Sequence, residues 1–448
     1  MNKLASEHGA GATNGEGAER IGEEIHGLMR RLYPICRSIT GDGVRRSLAM
    51  MREYIPLEIF EVPTGTPIFD WTVPKEWNVR DAYVKNSRGE RVIDFQKHNL
   101  HLVNYSVPVR RTMSLAELRP HLHTLPEHPD WIPYRASYYK ETWGFCLTQR
   151  QLEALDEDEY EVCVDSTLGD GNLTYAECYL AGDREDEILL YSHICHPSVC
   201  NDNLSGMALL TYLARALQGE RRRYSYRFVF APTTIGSITW LARNESRLGR
   251  IKHGLVIALV GDPGPMTYKK SRRGDATVDR AVAHVLKHSG RPSQVLDFSP
   301  YGYDERQFCS AGIDLPVGRL TRTPNACYPQ YHSSADDLDF VRPEFLADSL
   351  EICRMSLNVL DRDGRYVNLS PKCEPQLGRR GLYSKTSAER DVGQRDLAML
   401  WVLNLCDGRH SLLDIAERSG LAFGTIAASA DDLAEAGLLR PAAIGDKE

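Results

Sequence analysis

Between Tyr160 and Asp262 short apolar runs alternate with helical spacings, and this alternation constrains the fold more than any other feature of the chain. "YEVCVDSTL" and "LTYAECYLAG" alternate like half-buried strands, and "EILLYSHI" is a more continuous apolar strand. "SGMALLTYLARAL" then has helical spacing, followed by the strand "YRFVFAP", the helix "SITWLARN" and the buried strand "HGLVIALVGD". Strand and helix in alternation predict an α/β domain on a mostly parallel central sheet. Ligand sites in such sheets form beyond the carboxyl ends of the strands.

The flanking segments have other textures. "IGEEIHGLMRRLYPIC" places Ile21, Ile25, Leu28 and Leu32 on one helix face, and "SLAMMREYI" follows as a second helix after the turn at Gly41–Gly43. Residues 65–149, rich in Pro, Trp, Tyr and His with short alternating runs, read as an inserted β-rich domain. The α/β domain would then comprise residues 21–64 and 150–368. From 371 to 441 three short helices predict a winged-helix-like module, with Ser411 and Asp414 suited to N-cap and N3 positions. Residues 1–20 read as a disordered tail without the apolar core of a secretory signal. No run approaches the roughly 20 apolar residues of a membrane span. Eleven cysteines in 448 residues, with no CxxC pair, suit reduced thiols and a cytoplasmic protein. A net charge of −7 does not favour nucleic acid, and "TIAASADDLAEAGLL" carries no Lys or Arg. A protein-contact role, including homo-oligomerisation through the C-terminal domain, fits that helix better.

"YSHICHPSVCNDNLSG", residues 191–206, gathers His193, His196 and Asp202 just after a buried strand. Imidazole and carboxylate oxygen are ordinary zinc ligands, and a catalytic site keeps one position for water. "YPQYHSSADDLDF" offers His332 from a distant loop, with Asp336 and Asp337 as supporting acids. On spacing alone, satisfied core histidines explain the run as well as a metal does. Cys195 and Cys200 are alternative thiolate ligands or plain buried thiols.

Taken in order, "YSHICHPSVCNDNLSG", "PTTIGSITWL", "YDERQFCSAGIDLP" and "YHSSADDLDF" resemble the motif succession of the co-catalytic zinc aminopeptidases. The chain resembles still more closely a bacterial subfamily often called polysaccharide-biosynthesis proteins with an aminopeptidase-like domain. That likeness runs through "RSITGDGV", "FDWTVPKEWNVRDAYV", "NLHLVNYSVPV", "YYKETWGFC" and the C-terminal helices. It implies a three-layer zinc-aminopeptidase-like α/β domain, a β-rich insert and a winged-helix-like domain. Carried over by residue, His193 stands at the first zinc histidine and Cys195 at a supporting aspartate. His196 belongs to the subfamily's "CHPS" and competes with His193 as ligand. Asp202 stands at the bridging aspartate, His332 at the final histidine, and Asp262 near a further ligand aspartate.

The departure lies in "PTTIGS". The resemblance calls for Glu-Glu, a general base followed by a metal ligand, where this chain has Thr233 and Thr234. A hydroxyl does not collect a proton at neutral pH as a carboxylate does. Losing the second Glu removes a ligand from the second metal, so one zinc per chain is expected. A single zinc could activate water unaided, lowering its pKa to about 7. Asp304 or Glu305 could replace the base, unless they belong to a loop ion-paired with Arg306. Or the site binds without hydrolysing. Tyr303, Arg306 and Tyr331 are candidate donors to a substrate oxyanion, and "IPYRASYYKETWGF" a candidate specificity wall. The expectation is a zinc-dependent aminopeptidase-like hydrolase of an N-terminal or small-molecule amide, with a small peptide or aminoacyl-type substrate. The alternative is a catalytically silent binding or scaffold protein.

Overall fold

Helix α1 (Gly15–Leu32) begins six residues before the pattern that announces it, so residues 15–20 are helical rather than part of a tail. The computed structural model describes residues 15–382 and 392–443; the disorder expected for residues 1–14 lies outside them. Ile25, Leu28, Met29 and Leu32 of α1 are buried, as their spacing requires. Helix α2 (Asp42–Met51) and edge strand β1 (Glu58–Pro63) follow.

The insert carries a four-stranded antiparallel sheet of β2 (Glu76–Lys85), β3 (Arg91–Asp94), β4 (Val109–Ser114) and β5 (Glu159–Gly169), ordered β3-β2-β5-β4. Strand β5 corrects the expected boundary. Its alternating "YEVCVDSTL" reads equally well in either sheet, but it pairs with β2 and β4, so the insert's sheet runs past residue 149 to Gly169.

The central sheet contains β1, β6 (Asn172–Leu180), β7 (Glu187–His193), β8 (Ser225–Ala231), β9 (Ile251–Ile257), β10 (Met266–Lys269), β11 (Ser293–Leu296) and β12 (Val317–Thr321). Their order is β1-β6-β8-β7-β9-β12-β10-β11. The middle strands β8, β7, β9 and β12 are parallel, while β1, β6 and β10 join antiparallel, so the sheet is mixed. Every residue of β7 and β8 is buried, as expected of parallel strands covered on both faces. The charges within these strands are paired: Arg227 binds Glu187 (2.6 Å) and Glu177, and Trp240 Nε1 donates to Glu177 (2.8 Å). Helices α3 (Gly206–Ala216) and α4 (Ile235–Asn244) pack on the sheet.

The chain forms two compact units, one running to Gly274 and resuming at Gln294–Glu351, the other Asp275–Ser293 with the chain from Ile352 on. The second unit therefore takes α5 (Thr277–His288) and the end of α6 (Pro343–Arg362), both expected in the α/β domain. It also takes β13 (Arg365–Asn368), again assigned to the α/β domain by pattern. With α7 (Val392–Leu405), β14 (Asp407–Ser411), α8 (Leu412–Ser419), α9 (Phe423–Glu435) and β15 (Leu439–Pro441), it forms a winged-helix arrangement whose sheet is ordered β14-β13-β15. Ser411 caps α8 with Asp414 at N3 in a reciprocal capping box, as the sequence suggested. Arg280 of α5 pairs with Asp414 (2.6 Å) and Glu417, which ties α5 to α8. No helix among the described residues is long and apolar enough to cross a membrane.

A candidate metal centre at the carboxyl ends of the parallel strands

β7 ends at His193, and the neighbouring β8 and β9 run parallel to it, so their following loops emerge at the same edge. The run Asn201–Ser205 uses alternate residues for alternate tasks. Asn201 accepts from Gly261 N (3.0 Å), Asn203 accepts from Leu259 N (3.1 Å), and Ser205 Oγ accepts from Val260 N (3.1 Å), binding this run to the loop after β9. Asn203 Nδ2 also donates to Ser192 Oγ (2.8 Å) and His193 O (3.1 Å). With its neighbours so held, Asp202 projects the other way, into the histidines. The Asp202–Asn203 and Thr233–Thr234 peptide bonds are cis.

Asp202 is fully buried and meets three imidazoles. His193 Nε2 lies 2.8 Å from Oδ1, His332 Nε2 lies 3.0 Å from Oδ2, and His196 Nε2 lies 3.8 Å from Oδ2. Ligand atoms of His193, His196 and Asp202 all fall within 4.8 Å of one another. Zinc with bonds of 2.0–2.1 Å in tetrahedral geometry wants donors about 3.4 Å apart. Two imidazoles and a carboxylate with ligand atoms within 4.8 Å of one another are of the type and proximity that a zinc ion takes, so the donor set fits zinc. Both competing histidines border the cluster. His332 joins through Asp202 and lies outside the mutually close trio.

Electrostatics suit the same reading. Burial pushes His196 down to about 3, against the pull of Asp202, so its imidazole is neutral and a free donor at neutral pH. Burial opposes ionisation of Asp202, yet His196 and the bonds from His193 and His332 outweigh it and hold the carboxyl well below its ordinary range. Cys195 and Cys200 are both driven upward by burial and stay protonated. Cys195 Sγ sits 3.3 Å from His196 Nδ1 and accepts from Thr233 N (3.4 Å), so it packs behind the ligands rather than among them.

The remaining candidates divide. Tyr303 Oη donates to Asp202 Oδ2 (3.3 Å) and lies 3.2 Å from Tyr331 Oη, and Tyr331 stacks on His332 with centroids 4.0 Å apart. Both tyrosines border the cluster. Asp304 is fully buried; its Oδ1 accepts from Ser237 Oγ (2.7 Å) and Tyr191 Oη (3.1 Å). Burial raises it to about 6, with His193 and Ser237 acting in the opposite direction. Its Oδ2 and the Thr233 hydroxyl are both buried without a well-aligned partner. Glu305 does not reach the cluster. It is buried against Lys269 Nζ (2.6 Å) and Arg319 (3.2 Å) and accepts from Tyr303 N (3.0 Å). The expected loop ion pair therefore exists, but with these two residues in place of Arg306. Among the described residues Arg306 makes no bond to the cluster. Asp336 supports the site through the backbone, accepting from Asn201 N (2.5 Å) and Asp202 N (3.0 Å). Asp337 instead accepts from Asp339 N and Phe340 N in its own turn. Asp262 is occupied by Thr323 Oγ1 (2.5 Å), Gly264 N (2.8 Å) and Asn201 Nδ2 (3.0 Å), away from the histidines.

Two contributors escaped the sequence reading of the site, although motifs containing them stood out. Tyr134, from the insert, places its ring 5.0 Å from both His196 and His332, and its amide donates to His332 O (2.8 Å). That bond, with Ile132–Ser334 contacts on either side, holds His332 at a left-handed φ of 55°. Arg37, in "RSITGDGV", is fully buried and donates to His196 O (2.9 Å) and Leu32 O (2.7 Å), fastening the "CHPS" loop to the end of α1.

Residues 26–363 match a family described as a domain of unknown function, DUF4910. The chain belongs to that family. Residues 364–441 match a winged helix-turn-helix family. The chain is 53% identical over 427 residues to a Clostridium acetobutylicum protein named for polysaccharide biosynthesis and an aminopeptidase-like domain, covering 95% of this chain and 98% of that one. A crystal structure of a C. acetobutylicum protein described as a peptidase superposes with a TM-score of 0.91 at 52% identity, over 95% of this chain and 98% of that one. A zinc aminopeptidase from Bacillus subtilis shares the fold at 12% identity, with a TM-score of 0.55 over 76% of this chain and 94% of that one. The DUF4910 chain is thus aminopeptidase-like in fold and family.

Proposed function

We propose that this protein is a zinc-dependent aminopeptidase-like hydrolase of an N-terminal or small-molecule amide. The observation that carries the reading is the convergence of His193, His196 and Asp202 on one buried point, with His332 closing on Asp202. These residues would hold one zinc; the threonines at 233 and 234 supply no second carboxylate. Bound there, zinc would supply a Lewis acid and activate water near neutral pH. Asp202 aligns the imidazoles, and the paired hydroxyls of Tyr303 and Tyr331 are placed to donate to a substrate oxygen. Asp304, with a folded value of about 6, could exchange a proton at neutral pH. The relative's name suggests a substrate from a biosynthetic pathway, of peptide or aminoacyl type. Eleven unpaired cysteines suit a cytoplasmic setting. The second unit is proposed to make protein contacts, including homo-oligomeric ones: α9 exposes Gly424, Ala428, Asp431 and Glu435, with no cation among them for a phosphate backbone.

A second reading, a silent binding protein with one metal, is favoured by the absence of a carboxylate at Thr233. Metal analysis by mass spectrometry on wild type, His196→Ala and His332→Ala, followed by an aminoacyl-amide screen, separates the readings. About one zinc per wild-type chain, lost in both variants, with turnover of an amide supports the hydrolase. Zinc without turnover supports the binding protein. No zinc after supplementation overturns the hydrolase and leaves a binding or scaffold protein without metal.

A further inference from the structure

A cleft of about 400 Å³ opens between the insert and α4. Ile238 in its wall stands one helical turn beyond Thr234, and Gln307 stands three residues beyond Asp304. On the insert side, the segment holding Tyr134 against His196 and His332 reaches Tyr139 five residues later. Tyr139 packs its ring against Trp71, centroids 5.4 Å apart, and Trp71 and Phe69 line the cleft. All three rings remain about half exposed: Phe69 52%, Trp71 46% and Tyr139 55%. Phe69 and Tyr139 hold left-handed backbone conformations, with φ of 54° and 65°, which side-chain-bearing residues adopt at a cost. Large aromatics kept open to solvent on a strained frame are poorly explained by packing.

The polar lining narrows the ligand. Asp70, Glu245, Gln307 and Ser310 share the cleft with the aromatics, and among the described residues no Lys, Arg or His lines it. An anion would meet two carboxylates and no counter-charge. A wholly apolar group would strip water from those carboxylates without replacing their hydrogen bonds. A sugar ring satisfies both constraints, with a C–H face for the aromatic rings and a rim of hydroxyls for the carboxylates and the amide. We infer that this cleft is a saccharide subsite that binds a neutral or amino sugar of one or two rings. The inference adds a binding site to the proposed function. Sugar binding itself, however, needs no metal and no turnover.

Titration calorimetry on chelator-treated full-length protein tests it, with N,N′-diacetylchitobiose and the dipeptide amide Ala-Phe-NH2 as probes. Saturable chitobiose binding is expected, at least tenfold weaker in Trp71→Ala and in Tyr139→Ala and largely kept in Trp71→Phe. Both altered side chains are exposed, and an unchanged circular dichroism spectrum checks that the variants fold. Absence of chitobiose binding, binding indifferent to Trp71→Ala, or a dipeptide response that depends on Trp71 would each overturn the assignment. None of these results bears on zinc content or amide turnover, so failure of the subsite and failure of the hydrolase are separable.

Discussion

Glu305→Gln distinguishes a structural carboxylate from a catalytic one. Glu305 is fully buried, with Lys269 Nζ at 2.6 Å and Arg319 at 3.2 Å, both cations themselves almost fully buried. At an effective dielectric near 20 these contacts amount to about 6 and about 5 kcal/mol of gross attraction. Most of that offsets desolvation of the three charges. Removing the anion alone leaves two buried cations without a counter-ion, a loss of about 3–5 kcal/mol. Glutamine can still accept from Tyr303 N, so the loss is one of charge rather than of shape. In urea the transition of the first unit should move down by roughly 1 M. Adding Lys269→Met to Glu305→Gln should recover about half of the shift, because one orphaned cation disappears with its desolvation cost. A single variant that unfolds at the wild-type midpoint would refute this account of the loop. If it also abolished amide turnover, Glu305 would be the missing base after all.

Asp304→Asn should act oppositely. Its folded value of about 6 lies above the ordinary 3.8, so its stabilising contribution is present below the ordinary value and lost as pH rises through 6. The variant should gain up to about 3 kcal/mol at pH 8 and nothing at pH 4; a variant less stable at pH 8 would contradict it. His284 accepts from Phe423 N (3.0 Å) at the start of α9, and burial lowers it to about 4, with His288 adding to the effect. Its contribution is present above the ordinary 6.5 and lost as pH falls through 4. This should weaken α9 by about 1–2 kcal/mol after solvent screening, seen as faster amide exchange there. His284→Gln, which can still accept the bond, should abolish that acid response; an unchanged response would rule His284 out. Tyr134→Ala should weaken zinc retention about tenfold while Tyr134→Phe preserves it, read by competition with a chelator. Equal retention in both would show that the ring does not orient His196 and His332.

The legible parts of the fold were those fixed by local period. Strands β6 to β9, helices α3 and α4, and the cap at Ser411 follow from spacing and capping chemistry within a few residues. What the pattern did not decide was which core an amphipathic segment joins. Strand β5 presents one apolar face whichever sheet receives it, and only its pairing with β2 and β4 assigns it to the insert. Helix α5 likewise buries Val278, Ala281, Val282 and Val285 by period, but its partner is set by Arg280 reaching Asp414 and Glu417, more than a hundred residues away. Strand β13 is too short to announce its sheet.

The site shows the same division between chemistry and placement. His193, His196, Asp202 and His332 were identifiable as zinc-type donors from residue type, and the fold brings the three histidines around the Asp202 carboxylate. Residue type could not assign tasks to the acids. Asp202, Asp262, Asp304, Glu305 and Asp336 are all buried, yet each meets a different set of donors: imidazoles, a threonine with an amide, two hydroxyls, two cations, and backbone N–H groups. Burial without a cation favours the protonated acid, and burial against cations favours the ion. On that basis burial raises both Asp304, to about 6, and Asp336, to about 8; Asp336 is occupied by the Asn201 and Asp202 amides, which leaves Asp304 to exchange a proton, and Glu305 holds the loop. If Thr233 marks the loss of a base, Asp304 is the group left to take over its proton, and Asp304→Asn should then abolish turnover while stabilising the fold. Loss of turnover together with lost stability would instead make Asp304 part of the frame, leaving the silent binding protein as the better reading.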